Sequence, residues 1–191
     1  VEMELSPEMR QFIREHAHDD IRQLALQGGK YPDIDLKAAL QHIAGRQAIR
    51  AKLPSWYAVG ELLYPAHLPL EQCSSEVTAR YKASLCSGDT LADLTGGFGV
   101  DCVFMASGFR SAVYVERQEE LCTLARHNFP LLQSGHLDIR HGDGVAFLNG
   151  MEPVDCIFIG PARRSEQGRK TVLLADCEPD VAQLEPLRVS K

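Results

Sequence analysis

The stretch Leu91-Ala92-Asp93-Leu94-Thr95-Gly96-Gly97-Phe98-Gly99-Val100-Asp101 decides the fold. It reads as the end of a buried strand, a glycine-rich turn and the first turn of a helix. Asp93 closes the strand, and three of the six residues after it are glycine. Gly96, Gly97 and Gly99 are free to take positive φ and let a ligand touch bare backbone. The helix that follows is expected to aim free N–H groups and its positive dipole end at that ligand. A strand, a glycine turn and a helix make a nucleotide-type cradle.

Downstream the chain alternates regularly. Strands are expected over 90–95, 111–115, 137–141 and 154–159, with helices over 99–106 and 118–129 and a short one near 145–148. The fourth strand, Val154-Asp155-Cys156-Ile157-Phe158-Ile159, is nearly all apolar, as a strand buried on both faces should be. Such alternation implies a parallel sheet with right-handed crossovers, an α/β Rossmann-like fold. In such sheets ligands bind at the carboxyl ends of the strands. There strand one delivers Asp93 and the glycines, and strand two delivers Glu116, nineteen residues after Gly97, a spacing that suits a carboxylate accepting ribose hydroxyls. Strand three is followed by Gly142-Asp143, and strand four by Gly160-Pro161-Ala162-Arg163-Arg164.

The acids identify the ligand class. A dinucleotide fingerprint would have Gly or Ala where this chain has Cys102, and its turn must receive a pyrophosphate. Asp93, Asp101, Glu116 and Asp143 around the turn repel a pyrophosphate and welcome positive charge. S-adenosylmethionine, with a sulfonium, an ammonium, a ribose and an adenine, answers that description; an NAD-dependent oxidoreductase is the disfavoured alternative.

Upstream, Ser6-Pro7 is a helix start with Met9, Phe12, Ile13 and His16 on one face, and Asp20 caps a second short helix with Ile21, Leu24 and Ala25 inward, ended by Gly28-Gly29. His16 and His18, two apart on a helix, point to different faces and make no metal pair; no metal is expected. A longer helix is expected over 35–53, with Leu36, Leu40, Ile43 and Gln47 inward, Gly45 at a close helix contact, and Pro54 as its stop. His42, Arg46 and Arg50 recur every four residues as one ridge. Between Lys30 and Lys52 there are five Lys or Arg against two Asp, so Arg46, Arg50 and Lys52 are candidate RNA-phosphate contacts, a solvated face being the plainer reading. Trp56, Tyr57 and Tyr64 are expected to wedge the helical part against its neighbour. A helix over 71–86, capped by Ser74 or Ser75, lies beside the glycine turn. The expected division is a helical domain over 1–70 and the Rossmann-like domain over 71–191.

The chain has 191 residues, 45% hydrophobic and 24% charged, with a net charge of −6, which argues against a chain that grips nucleic acid everywhere. It has no apolar run of membrane-spanning length and no basic-then-apolar leader at its start. Six scattered cysteines without a CxxC pair suit reduced thiols, and a cytoplasmic location is expected.

The motifs DLTGGFGVD (93–101), VYVER (113–117), IRHGDG (139–144) and IFIGPARR (157–164) resemble, in order, the first four motifs of class I S-adenosylmethionine-dependent methyltransferases. With IAGRQAIRAKLPSW (43–56) and EQCSSEVTARYKA (71–83), the chain resembles, over nearly all its length, the bacterial class I methyltransferases that carry a THUMP-like domain and are considered RNA methyltransferases. The resemblance implies Asp93 near the methionine ammonium and the Gly96, Gly97 and Gly99 backbone beneath the amino-acid part, with Thr95 and Phe98 in the same turn. It implies Glu116 on the ribose, Arg117 beside the adenine, and Gly142-Asp143 at the adenine amine. Ser75, Thr78 or Tyr81 would line the methionine carboxylate. No catalytic residue is assigned within the motif-four loop Gly160, Pro161, Ala162, Arg163; Arg163 and Arg164 at its mouth are candidate RNA-phosphate contacts.

Two departures from the family pattern stand out. The resemblance implies an acid where this chain has Gly160, so a catalytically impaired cofactor- or RNA-binding module is the alternative function. A complete core has seven strands and four are legible, so the core is expected to be truncated after the fourth. That strand would then offer an apolar edge for self-association.

Overall fold

The structure is a computed structural model that describes residues 5–68 and 73–160. Pro161, Ala162, Arg163 and Arg164, and the continuation to Lys191, lie outside the described residues. Four helices come first: α1 (Pro7–Glu15), α2 (Ile21–Ala25), α3 (Leu36–Ile49) and α4 (Pro54–Tyr57). Then follow α5 (Glu76–Ser84), β1 (Thr90–Asp93), α6 (Val100–Ala106), β2 (Ser111–Glu116), α7 (Glu119–Leu131), β3 (Leu137–His141), α8 (Gly144–Gly150) and β4 (Cys156–Phe158).

Local chemistry explains the helix starts. Side chains of Ser6, Asp20, Asp35 and Ser75 each accept a hydrogen bond from an otherwise orphaned backbone N–H, those of Met9, Gln23, Ala38 and Thr78. Pro54 does not stop α3. That helix has already ended at Ile49, and Pro54 opens α4 at its first position, where a missing N–H costs nothing. Met9, Phe12 and Ile13 pack with Leu24, Ala39 and Ile43 in one cluster, but Ala25 faces solvent.

The sheet is four-stranded and parallel, in the order β3-β2-β1-β4, which is the alternating α/β arrangement expected. β4 is shorter than expected; pairing covers only Cys156 to Phe158, against Leu91 to Asp93. The strands' period of two divides the core. Leu91, Ala112, Tyr114 and Leu137 face α6, α7 and the aromatic connector, whereas Ala92, Leu94 and Val115 meet Leu148 and Met151 on the other face. With both faces covered, the strands tolerate their near-continuous apolar sequence. Trp56 and Tyr64 are buried in the first of these clusters, and Phe98 of the glycine turn packs between them, its ring 5.4 Å from Trp56 and 5.8 Å from Tyr64. The aromatic connector is therefore a wedge, as its composition suggested. Gly45 does mark a close approach, to Tyr64 rather than to a helix: a Cβ there would lie 2.4 Å from the tyrosine Cβ. Among the described residues no helix is long and apolar enough to cross a membrane.

Candidate functional site: the acidic rim of the glycine turn

The carboxyl ends of β1, β2, β3 and β4 are stitched together by hydrogen bonds between loops. The Gly96 amide donates to the Val115 carbonyl, and the Gly142 amide to the Glu116 carbonyl. The Leu94 amide donates to the Phe158 carbonyl, and the Gly160 amide donates to Thr95 Oγ1 at 2.6 Å. His141 Nε2 lies 2.9 Å from the Arg117 carbonyl. These bonds bring Asp93, Thr95, Glu116, Gly142, Asp143 and Gly160 to one rim, although they are spread over 68 positions of sequence.

The glycines work in two ways. Gly97 (φ +57) and Gly99 (φ +91) occupy the left-handed region, and Gly99 is the cap of α6. Gly96 does not; it is glycine for space, because a Cβ there would lie 2.2 Å from Cε2 of the buried Tyr114 ring. Tyr114 closes the arrangement by donating its hydroxyl hydrogen to the Gly97 carbonyl.

The expectation of a bare-amide cradle needs correction. The Thr95 amide donates to Asp93 Oδ1 at 2.9 Å, the Gly97 amide to Glu116 Oε2 at 2.8 Å, and the Gly99 amide to the Gly96 carbonyl. Glu116 Oε1 takes the Gln118 amide as well, at 2.8 Å. Short loops turn their amides onto the nearest carboxylates because an unpaired buried N–H is costly. What the rim offers a ligand is therefore negative charge held in position, each carboxylate still having lone pairs to spare.

Asp93 is the most perturbed of these acids. It is 1% exposed, and burial raises its pKa from 3.8 to about 7, against the opposing pull of the Thr95 amide; Asp101 and Glu116 nearby push the same way as burial. Burial, with Asp93 beside it, also holds the Cys102 thiol well above its ordinary value. Asp143 caps α8, its Oδ1 accepting from the Ala146 amide at 2.9 Å, so its rim role is shared with a structural one.

Other expected contacts are redistributed. Thr78 is exposed and its hydroxyl pairs with Ser75 Oγ, while Tyr81 is 63% exposed on the outer face of α5, with Val77 and Leu85. The residues of this segment that reach the first turn of α6 are Ser74 and Lys82, whose side chains bond Asp101 Oδ2, both at 3.0 Å. Sequence reading offered Ser74 only as a helix cap, which is Ser75, and passed over Lys82, since a lone lysine on a helix carries no signal. The basic ridge is also altered. His42 is 3% exposed and accepts the Tyr64 amide at Nδ1, and burial pulls its pKa down to about 4. Arg46 lies over the Tyr57 ring at 4.4 Å and donates to the Val59 carbonyl; Arg50 is exposed, 5.9 Å from the same ring. Lys52 is half-buried, its carbonyl accepting the Glu76 amide. Arg117 is exposed at the end of β2.

Comparison with known proteins agrees with this architecture. The family model of protein-L-isoaspartate(D-aspartate) O-methyltransferase matches residues 75–166. No match was found among curated proteins. Among solved structures, a candidate methyltransferase from Porphyromonas gingivalis W83 superposes with a TM-score of 0.77 at 31% identity, over 96% of this chain and 46% of that one. An O-methyltransferase from Bacillus cereus, solved with SAH, gives 0.44 at 18% identity over 73% and 62% of the two chains. The chain thus spans a little under half the length of the P. gingivalis protein. With its parallel sheet, its strand order and this superposition, the chain has the class I S-adenosylmethionine-dependent methyltransferase fold.

Proposed function

We propose that this chain is the cofactor-binding part of an S-adenosylmethionine-dependent methyltransferase, and that its substrate is RNA. The observation that carries the cofactor half is the state of the glycine turn: the amides of Thr95 and Gly97 are taken by Asp93 and Glu116, which sets two carboxylates against the turn. A pyrophosphate needs free donors, whereas an ammonium and a ribose need acceptors. The bound cofactor would supply an electrophilic methyl group. Asp93 would hold the ammonium, Glu116 the ribose hydroxyls and Asp143 the adenine amine, with Gly97 and Gly99 shaping the turn beneath. Positioning is the protein's main contribution to a displacement of this kind. The RNA half is supported by the motif resemblance and by Arg46, Arg50 and Lys52 clustered on and just after α3.

Calorimetric titration with S-adenosylhomocysteine, beside NAD, tests the cofactor assignment. Binding of S-adenosylhomocysteine and not of NAD is expected, with Glu116→Ala weakening it by about a hundredfold, since the variant loses both ribose acceptors and the Gly97 clamp. Preference for NAD would refute the assignment.

A second reading, of an impaired methyltransferase, is favoured by Gly160, which brings only backbone to the rim and whose amide is committed to Thr95. A Cβ at this position meets nothing closer than Phe158 Cε1, at 3.3 Å, so an acid fits with a small adjustment. If the impaired reading holds, Gly160→Asp gains methyl transfer to bulk RNA where the parent has none, measured with tritiated cofactor. An active parent excludes it.

A further inference from the structure

Beside the acidic rim, the start of α5 and the start of α6 are joined by a group of three polar side chains outside the contacts assigned to the cofactor. Ser74 Oγ donates to Asp101 Oδ2 at 3.0 Å, and Lys82 Nζ donates to the same oxygen at 3.0 Å and to Ser74 Oγ at 2.9 Å. Asp101 is the second residue of α6, directly after the turn whose last glycine, Gly99, caps that helix. The Lys82 ammonium lies over the ring of Phe158, 5.4 Å from its centre, and Phe158 is the partner of Asp93 in the β1–β4 register. The group therefore stands at the carboxyl ends of β1 and β4, next to the glycine turn.

Two hydrogen-bonding valences in this group are unused. Asp101 Oδ1 is buried and accepts from no donor among the described residues, although Oδ2 accepts from two. Lys82 has three N–H donors, and two of them are taken. A buried carboxylate oxygen without a donor is costly, and an ion pair that served only to join α5 to α6 has no use for one. The group is not sealed in the core, because the Asp101 side chain is 19% exposed and that of Lys82 35%. A missing donor at Asp101 and a missing acceptor at Lys82 describe a ligand that brings an ammonium and a carboxylate together, as the α-amino acid group does. The surrounding charge agrees. The pKa of Asp93 is raised by burial and further by Asp101, so the two carboxyls are within electrostatic reach and both attract an ammonium placed beside them.

We infer that Ser74, Lys82 and Asp101 form the subsite for the amino-acid end of the cofactor, and that Lys82 makes the cofactor's carboxylate a condition of tight binding. Lys82 gives its third N–H to the carboxylate, Asp101 Oδ1 joins Asp93 in accepting from the ammonium, and Ser74 holds the Lys82 ammonium in place. The inference rests on the cofactor's placement at the rim. It moves the carboxylate contact from Thr78 and Tyr81, which are exposed, to the face of α5 that meets α6. Its consequence is selectivity: ligands with the same adenine and ribose but without the carboxylate are held weakly.

The test is calorimetry of the full chain with S-adenosylhomocysteine, with its descarboxy analogue, and with methylthioadenosine, which has neither charged group. The parent is expected to bind S-adenosylhomocysteine at least about tenfold more tightly than the descarboxy analogue. Lys82→Gln should remove that advantage, weakening S-adenosylhomocysteine by about tenfold and leaving the other two ligands within about twofold of the parent. Asp101→Asn should weaken both ligands that carry the ammonium and spare methylthioadenosine, whose unchanged binding shows that each variant is folded. A parent that binds S-adenosylhomocysteine and the descarboxy analogue equally overturns the inference, and so does a Lys82→Gln or Asp101→Asn variant whose effect is the same on all three ligands. In those cases, methylthioadenosine binding that is lost in Glu116→Ala keeps the cofactor at the rim. Failure of all three ligands to bind the parent refutes that placement, and the inference falls with it.

Discussion

Replacing Gly96 by alanine is expected to lower the melting temperature by about 6–12 °C. The added Cβ would lie 2.2 Å from Tyr114 Cε2 and 2.6 Å from Cδ2 and Cζ. Tyr114 has nowhere to go. It is fully buried, stands edge-on to Phe129 at 5.2 Å, and is fastened by its hydroxyl to the Gly97 carbonyl. Overpacking of a rigid core costs up to about 3 kcal/mol, and at the size of this chain each kcal/mol is worth about 2–4 °C. The loss should be local in origin: S-adenosylhomocysteine binding falls with it, because moving Tyr114 displaces the Gly97 carbonyl. The double variant Gly96→Ala/Tyr114→Phe keeps the ring and should recover nothing, whereas Gly96→Ala/Tyr114→Leu should recover part of the loss. A melting temperature unchanged in Gly96→Ala, read by circular dichroism, would show that the ring contact does not constrain the turn.

The second large effect is a pH dependence at Asp93. Its folded pKa of about 7 lies above its ordinary value of 3.8, so the folded chain holds this proton more tightly than the unfolded chain does. The stability that follows is fully present below about pH 3.8 and is lost as pH rises through 7. On the proposed assignment of Asp93 to the cofactor's ammonium, binding runs the other way, because the ionised carboxylate holds the ammonium and excludes the proton. Affinity for S-adenosylhomocysteine should therefore be level above pH 7 and fall by up to about tenfold per pH unit below it, about thirtyfold by pH 5.5. Asp93→Asn should bind weakly at every pH and lose this slope, while its melting temperature no longer falls as pH rises through 7 on account of this group. Calorimetry from pH 5.5 to 8.5 on both proteins reads the result. A wild-type affinity that does not change between pH 5.5 and 8.5 would remove Asp93 from the ammonium site.

How much of this was legible in the chain can be followed through particular residues. Caps at Ser6, Asp20, Asp35 and Ser75 are local events, decided within three residues, and sequence reads them well. The parallel sense of β1 to β4 follows from alternation, and so does the arrival of Asp93, Glu116 and Asp143 at one edge, because parallel strands all end on the same side; the order β3-β2-β1-β4 does not. Pro54 was misread because a proline ends one helix and begins another with the same missing N–H, and only the geometry after Ile49 says which. His42 was misread for a different reason. Its spacing from Arg46 and Arg50 is that of a surface ridge, yet α3 meets the connector at Tyr64 along that line and buries it.

The sequence by itself determined the class of fold, the strand order's parallel sense, the glycine turn and the acidic character of its rim. All of these depend on residue type and short-range spacing. Tertiary structure alone decided three things: that Gly96 is glycine because of Tyr114, that the amides of Thr95 and Gly97 are spent on Asp93 and Glu116, and that His42 is buried against the Tyr64 amide instead of facing solvent. Each is a contact between residues 2 to 22 apart, and it depends on which faces meet when the layers pack. Burial is set by that meeting of faces, and with it the pKa of Asp93 and the tautomer of His42.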